Sequence, residues 1–241
     1  MEDRKPIGRK NYGSIPHLPD SRIGTGDHKC SKGQARIATE KCRDKNDEVI
    51  VQEKLDGSNV GIARVEDSIF PLTRAGYIAI SSPYEQHKHF HNWVYENTER
   101  FLNVLSDGER LVGEWLMQAH STRYKLRHEP FVAFDIMIKD KRMIYSDFVD
   151  RVGGKFTMPA LLHKGSAISI KDVMRILGKY GFHGALDEVE GAVWRVERDL
   201  KTGRAVDYLV KYVRPNKEDG IFLPEISKKE PVWNWYPSKR G

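Results

Sequence analysis

A lysine can act as a nucleophile when its amine is held rigidly and partly desolvated, because burial disfavours the ammonium and exposes the lone pair. Lys54 is placed for that role. It lies in Val51-Gln52-Glu53-Lys54-Leu55-Asp56-Gly57-Ser58-Asn59-Val60-Gly61. The first half alternates as a strand does, Val49 and Val51 against Ile50 and Gln52, and the second half turns at Gly57. The lysine therefore falls where a strand gives way to a tight turn, and no other stretch offers so plausible a nucleophile. A lysine beside Asp-Gly is also ordinary hairpin chemistry, so the choice between the two readings rests on what lies downstream.

The elements that would position such a lysine can be taken in order. Residues 1–47 are rich in Gly, Pro, Lys and Asp and read as ordered irregular chain. His17, His28, Cys30 and Cys42 lie here, but their spacing matches no standard zinc pattern and no structural metal is expected. Arg22, Lys29 and Lys32 suit either a solvated surface or nucleic acid. Val60–Val65 is expected to form a hairpin with the strand before Lys54, and 69–80 to continue as strand or loop around Thr73-Arg74-Ala75-Gly76. Ser81-Ser82-Pro83 is a helix start, and Phe90, Trp93, Val94, Phe101, Val104 and Leu105 give one amphipathic helix over 84–106. His87, His89 and His91 point to different faces of it and read as surface.

Further strands are expected at Arg110–Met117, with Glu114, and at Phe131–Ile138, with Phe134, the latter turning at 139–142 into Met143–Tyr145. Ser146 is placed to cap a short helix through Val152. Ser169 and Asp172 form a capping box for a helix closed by Gly181. Gly191–Val196, preceded by Glu190, and Ala205–Val213, with Lys211, are two strands joined by a charged turn at 199–203. The sum is an α+β fold with several antiparallel strands and flanking helices. The expected organisation is a single domain over 1–241, with a core at 48–215 and a Trp-rich arm at 216–241. The last segment, 231–241, is aromatic and basic, suited to docking on the body or to stacking on bases.

Composition bounds the function. The chain has 241 residues, enough for a substantial core, and 39% hydrophobic against 31% charged residues marks it as globular. A net charge of +6 favours a polyanionic partner. Two cysteines cannot build a disulfide framework. No apolar run approaches the ~18 residues that span a bilayer, and no signal-peptide core is present. A cytoplasmic, reducing setting without membrane is the expectation.

The pattern Lys-x-Asp-Gly-x-Asn over 54–59 resembles the first motif of the covalent nucleotidyltransferases: ATP-dependent DNA ligases, RNA ligases and mRNA capping enzymes. Later fragments resemble the family's other motifs in the family's order. Taken singly, Glu114 reads as a strand carboxylate, Phe134 as core, Glu190 as a turn residue and Lys211 as a surface lysine. The resemblance implies more. It makes Lys54 the nucleophile that carries AMP, has Arg74 contact phosphate and ribose, and has Glu114 bond the ribose hydroxyls. It stacks Phe134 on the purine, puts the catalytic metal on Glu190, and has Lys211 grip the α-phosphate. It also implies the two-sheet adenylation fold, similar to ATP-grasp ligase domains, with ATP and Mg2+ or Mn2+ as cofactors. Family members often carry a second lysine two residues after the one matched by Lys211; here Val213 stands there and Arg214 follows, a planar guanidinium in place of a point ammonium.

Asn59 and the wording Lys-Leu-Asp-Gly-Ser-Asn resemble the RNA-repair and RNA-editing ligases. In that branch the asparagine contacts phosphates or the metal's waters, and Glu53 frames the adenine. The stretch after Val213 is too short for the oligonucleotide-binding barrel of DNA ligases and capping enzymes. The resemblance thus implies an RNA ligase that forms lysyl-AMP, passes AMP to an RNA 5′-phosphate, and seals it to a 3′-hydroxyl, on separate or nicked-duplex ends. Arg22, Arg123, Lys125 and Arg127 are expected to hold the strands. The alternatives are a small DNA ligase, a GTP-dependent guanylyltransferase, or a non-catalytic RNA-binding module of the same fold.

Overall fold

Val49-Ile50-Val51 has no polar partner to alternate with, because its strand, β1 (Glu48–Lys54), is paired along both edges and buried on both faces. In the computed structural model, which describes residues 5–236, β1 is a central strand of a four-stranded antiparallel sheet. Its neighbours are β7 (Leu161–Gly165) and β8 (Gly191–Leu200), and β9 (Gly203–Val213) pairs with β8 on the far side, giving the order β7-β1-β8-β9. A second antiparallel sheet has five strands in the order β3-β2-β4-β5-β6: β2 (Ser58–Val65), β3 (Ser68–Thr73), β4 (Glu109–Trp115), β5 (Phe131–Ile138) and β6 (Lys141–Arg142). The expected α+β class with two antiparallel sheets is what the chain adopts. Among the described residues neither sheet closes into a barrel.

The chain divides into two compact units. One holds the five-stranded sheet and comprises Gly57–Gln118, His128–Met158 and the segment up to Gly13; the other holds the four-stranded sheet and comprises Ser14–Asp56, Ala119–Arg127 and the segment from Pro159 on. In the first, α2 (Glu85–Glu96) and α3 (Thr98–Leu102) contribute to an aromatic core, and α4 (Tyr145–Val152) packs against β5. Phe90 meets Trp115 at 5.2 Å between centroids, Trp93 meets Phe131 at 5.6 Å, and Phe101 meets Phe156 at 5.1 Å. In the second, α1 (Lys32–Thr39), α5 (Ile170–Leu177) and a short α6 (Pro224–Ser227) accompany the sheet, and buried Trp194 donates its indole N–H to the carbonyl of Ile168.

Several expectations are corrected. Strands β1 and β2 do not form a hairpin: both edges of β1 are taken by β7 and β8, and β2 pairs with β3 and β4. The helix expected over 84–106 is interrupted at Asn97, whose side-chain amide donates to the carbonyl of Trp93 and whose own carbonyl starts the next turn at Arg100. The strand expected at 143–145 is the two-residue β6, and Tyr145 already opens α4, which Ser146 does not cap. Ser169 caps α5 as expected, but Gly178 with φ +65° ends it, ahead of Gly181. Helix α1 lies inside the stretch read as irregular, although Ser31 and Gln34 form a complete capping box there. The described part of the C-terminal segment is tied down by the Val232 carbonyl, which accepts from Ala119, and by Asn234, which accepts from Tyr124; residues 237–241 of the expected arm lie outside the described residues.

Candidate active site

In the four-stranded unit, register fixes the side chains expected to carry the chemistry. Lys54 lies opposite Gly191, and Gln52 opposite Val193, which in turn faces Lys211 across β8 and β9. Residues directly opposite share a face, as do residues two apart on one strand, so Lys54 and Lys211 project from the same face with β8 between them. Glu190 enters this face from the residue before β8, and its Oε2 lies 2.7 Å from Lys54 Nζ. Burial pushes the Glu190 carboxyl up, and the Lys54 ammonium works against that shift. Burial also pulls the Lys211 ammonium down, with the nearby charge of Lys54 adding to the fall. Two lysines and one carboxylate thus share one partly desolvated patch.

Three neighbours lie around it to which the sequence alone assigned no role. Asp56 Oδ2 accepts from the backbone N–H of Ser121 at 2.9 Å, and Asp56 donates its own N–H to Tyr124 Oη at 3.2 Å. Buried Lys217 sits 3.7 Å from that carboxylate. Its ammonium also donates to the carbonyls of Ser121 and Glu188 and to Thr122 Oγ1. The third neighbour, Asp27, lies 3.5 Å from Lys211 Nζ. Asp56 was legible in the Asp-Gly pair; Lys217 and Asp27 reach the patch through loops that carry no periodicity.

Glu53, beside Lys54, is 2% exposed. Its Oε2 accepts from the N–H of Phe182 at 3.0 Å, while Oε1 is buried without a hydrogen-bond partner. Desolvation raises its carboxyl to about 7. Gly181 makes the approach possible: with φ +56°, a Cβ there would fall 2.0 Å from Glu53 Oε1.

The other expected residues belong to the five-stranded unit. Asn59 lies opposite Glu114 on β2 and β4. Asn59 Oδ1 is buried without a hydrogen-bond partner, and Glu114 Oε1 accepts the N–H of Gly57 at 3.1 Å. Phe134 occupies the irregular position of β5 opposite the step from Val112 to Gly113, and Tyr12 meets its ring edge-on at 5.3 Å. Arg74 is exposed on the turn Thr73–Gly76, where its carbonyl accepts the N–H of Asn11.

Arg214, which follows the position of the second lysine, is held by the residues around the start of β8 and the end of α5. Its guanidinium is bound to the carbonyls of Val189 and Gly178 and to Glu188 at 3.2 Å. Of the four cations expected to hold RNA, Arg22 is paired with Asp219 and Arg123 is bidentate on Asp187, while Lys125 and Arg127 are exposed. His17 is buried on Ser21 and Asp27, and Cys30 and Cys42 are free thiols.

A strand-end lysine bonded to the carboxylate that opens the neighbouring strand is the arrangement that the resemblance to the covalent nucleotidyltransferases implies. The RNA ligase family model matches residues 47–213, and the chain belongs to that family. Solved structures of Naegleria gruberi RNA ligase share the fold. A glutamate-to-alanine mutant with AMP and Mn aligns at TM-score 0.51 and 14% identity, over 82% of this chain and 59% of that one. The form with PPi aligns at 0.50 and 15%, over 94% and 62%, and a lysine-to-methionine mutant with AMP and Mn at 0.50 and 14%, over 86% and 61%. This chain therefore spans about three fifths of the length of those ligases. No curated protein sequence matches it. No helix among the described residues is long and apolar enough to cross a membrane.

Proposed function

We propose that this protein is an ATP-dependent RNA ligase in which Lys54 becomes covalently adenylylated. The observation that carries the reading is the pairing of Lys54 with Glu190 beside Lys211, in a chain of the RNA ligase family. The Lys54 amine attacks the α-phosphorus of ATP; an N–P bond forms, the bond to the β-phosphate oxygen breaks, and pyrophosphate leaves. Lys211 and Arg74 offset phosphate charge. AMP then passes to an RNA 5′-phosphate, and a 3′-hydroxyl displaces it to close the phosphodiester.

Among the described residues no cluster of three or more metal-binding side chains occurs. A single carboxylate suits a cation of the magnesium or manganese kind, which is held by one or two carboxylates while substrate phosphates and water fill the rest of its shell. Glu190 is the carboxylate we assign to it. When bound, the ion would neutralise triphosphate charge.

We assign nucleotide recognition to Glu53, Asn59, Arg74, Glu114 and Phe134. Glu53 is included on the family resemblance, and a preference for ATP over GTP belongs to the same reading. The ligases from Naegleria with AMP and Mn support the same nucleotide and a divalent ion. The family match and the basic charge support an RNA partner, and to this reading we add a cytoplasmic location and a role in RNA repair.

The test is incubation with α-labelled ATP and Mg2+ or Mn2+, followed by intact mass and peptide mapping. One AMP on Lys54, absent from Lys54→Ala and outcompeted by ATP but not by GTP, is the expected result. No adduct with ATP, GTP or NAD, in protein stripped of nucleotide, overturns the reading and leaves an RNA-binding module in its place.

A further inference from the structure

The segment 16–30 precedes the region matched by the family model, yet it is built onto the strand that carries Lys211. Lys211 donates its N–H to the Pro16 carbonyl, Leu18 donates to the Lys211 carbonyl, and Arg22 to that of Val213. His17 is in turn bridged to the 28–30 stretch, with its N–H on His28 and its carbonyl accepting from Cys30. A short extra edge is thereby added to β9, directly beside Lys211.

The side chains close a ring around that edge. The N–H of Val213 donates to Ser21 Oγ at 2.9 Å, and Ser21 Oγ lies 2.7 Å from His17 Nδ1. His17 Nε2 lies 2.9 Å from Asp27 Oδ2, and Asp27 Oδ1 lies 3.5 Å from Lys211 Nζ. The ring starts on the backbone of β9 and returns to a side chain of β9 two residues away. An ionised carboxylate only accepts, so His17 carries its proton on Nε2 and Nδ1 accepts from the Ser21 hydroxyl. Burial, reinforced by Lys211, pulls His17 down and keeps it neutral. The charge of Asp27 is then left for Lys211. A Ser-His-Asp set of this kind is not a nucleophile relay, since Ser21 is itself buried and accepts the Val213 amide.

We propose that Asp27, oriented by His17, is a positioning residue for Lys211, so that the segment before the family region is a working part of the adenylylation site. An ammonium on a four-carbon stem has many rotamers. Anchoring one side of it to a fixed carboxylate leaves its remaining donors pointed in one direction, the preorganisation that stabilises charge developing on a phosphate. This rests on the proposed function, and it adds to that reading a pair of residues outside the matched region.

The test is a double-mutant cycle on the full chain, reading the single-turnover rate of lysyl-AMP formation and the KM for ATP. Asp27→Asn is expected to slow adenylylation about tenfold, with KM moving less than the rate. In a Lys211→Met background the same substitution is expected to change the rate by no more than about twofold, because the two residues act as one unit. Asp27→Glu, which keeps the charge, is expected to recover part of the rate. His17→Gln, which keeps an N–H for Asp27 without the ring's fixed direction, carries the same cycle if Asp27→Asn does not fold. A loss of equal size in both backgrounds, or none in either, overturns the inference. A wild-type protein that forms no adduct overturns the proposed function; a wild-type adduct with Asp27→Asn unchanged overturns only the role of Asp27.

Discussion

Lys54 Nζ and Glu190 Oε2 lie 2.7 Å apart, joining the end of β1 to the residue that opens β8. The carboxylate is nearly buried, and the ammonium is the cation that keeps it charged. Removing the lysine strands the carboxylate, a loss of about 3 kcal/mol for a well-buried pair and less here because Lys54 keeps some solvent. Lys54→Met is therefore expected to lower the urea midpoint at pH 8 and to lower it less at pH 5, where Glu190, already raised, takes up a proton. Adding Glu190→Gln to Lys54→Met removes the stranded charge and is expected to recover most of the loss at pH 8. Urea unfolding of the two variants at both pH values checks this.

Glu53 gives a second pH signature of opposite character, since it has no cation. Its folded value of about 7 lies above its ordinary 4.5. Between these values the folded state binds the proton and the unfolded state does not, so stability falls as pH rises from about 4.5 to 7 and stays low above. The full difference corresponds to about 3 kcal/mol. Glu53→Gln keeps an acceptor for the Phe182 N–H and carries no charge. It is expected to match wild type near pH 4.5 and to melt higher at pH 8, with weaker ATP affinity because Glu53 is among the residues assigned to the nucleotide. Calorimetry across that range, with an ATP titration at pH 8, reads both.

How much of this was legible follows from what carries periodicity. The strands bearing Lys54, Glu114, Phe134 and Lys211 were readable because their apolar runs are long and end at Gly or charged turns. The pattern of strands and helices gave an antiparallel α+β fold, and its division into two sheets came from the family resemblance alone. The hairpin across Gly57 was misread because local turn chemistry is silent about edge occupancy: β1 has no free edge to offer β2. Helix α1 was hidden in a stretch whose composition looks irregular, although Ser31 and Gln34 carried its start. The partners of the reactive residues were less visible still. Asp27 and Lys217 act from loops, and only the folded chain brings them beside Lys211 and Asp56.

Lys217 is the buried cation that ties the loop after Glu188 to the segment 121–122 and to Asp56. Its ammonium satisfies two carbonyls and a hydroxyl, so its loss leaves buried acceptors unpaired, at about 1–3 kcal/mol each. Lys217→Met, close in volume, is expected to destabilise by about 3 kcal/mol. Arg is not expected to rescue it, because a planar fork cannot reproduce three convergent contacts from one nitrogen. Equilibrium unfolding of the two variants tests the point; an unchanged midpoint for Lys217→Met would falsify it.

Gly57 is required by distance and not by backbone angle. A Cβ at this position would sit 2.5 Å from the carbonyl oxygen of Trp115 and 3.0 Å from a methyl of Leu116. The Trp115 carbonyl belongs to the end of β4, where Ser58 begins its pairing, and the N–H of Gly57 is held by Glu114 Oε1. An alanine must therefore push the start of β2 from β4 and lengthen the bond to Glu114. Overpacking of this kind costs about 1–3 kcal/mol. Because the displaced residues are Ser58, Asn59 and Glu114, the proposed nucleotide contacts shift with them. Gly57→Ala is expected to fold, to melt several degrees lower, and to lose more in ATP affinity than in stability. Gly108→Ala provides the comparison. Gly108 also sits in a turn, with φ +76° but open space around its Cβ position, so its strain is conformational and far from Asn59 in sequence. That variant is expected to melt lower and bind ATP as wild type does. Melting curves and ATP titrations of the two alanine variants, run side by side, separate a steric effect on the nucleotide residues from a general loss of stability; equal ATP affinity in both would sink the argument.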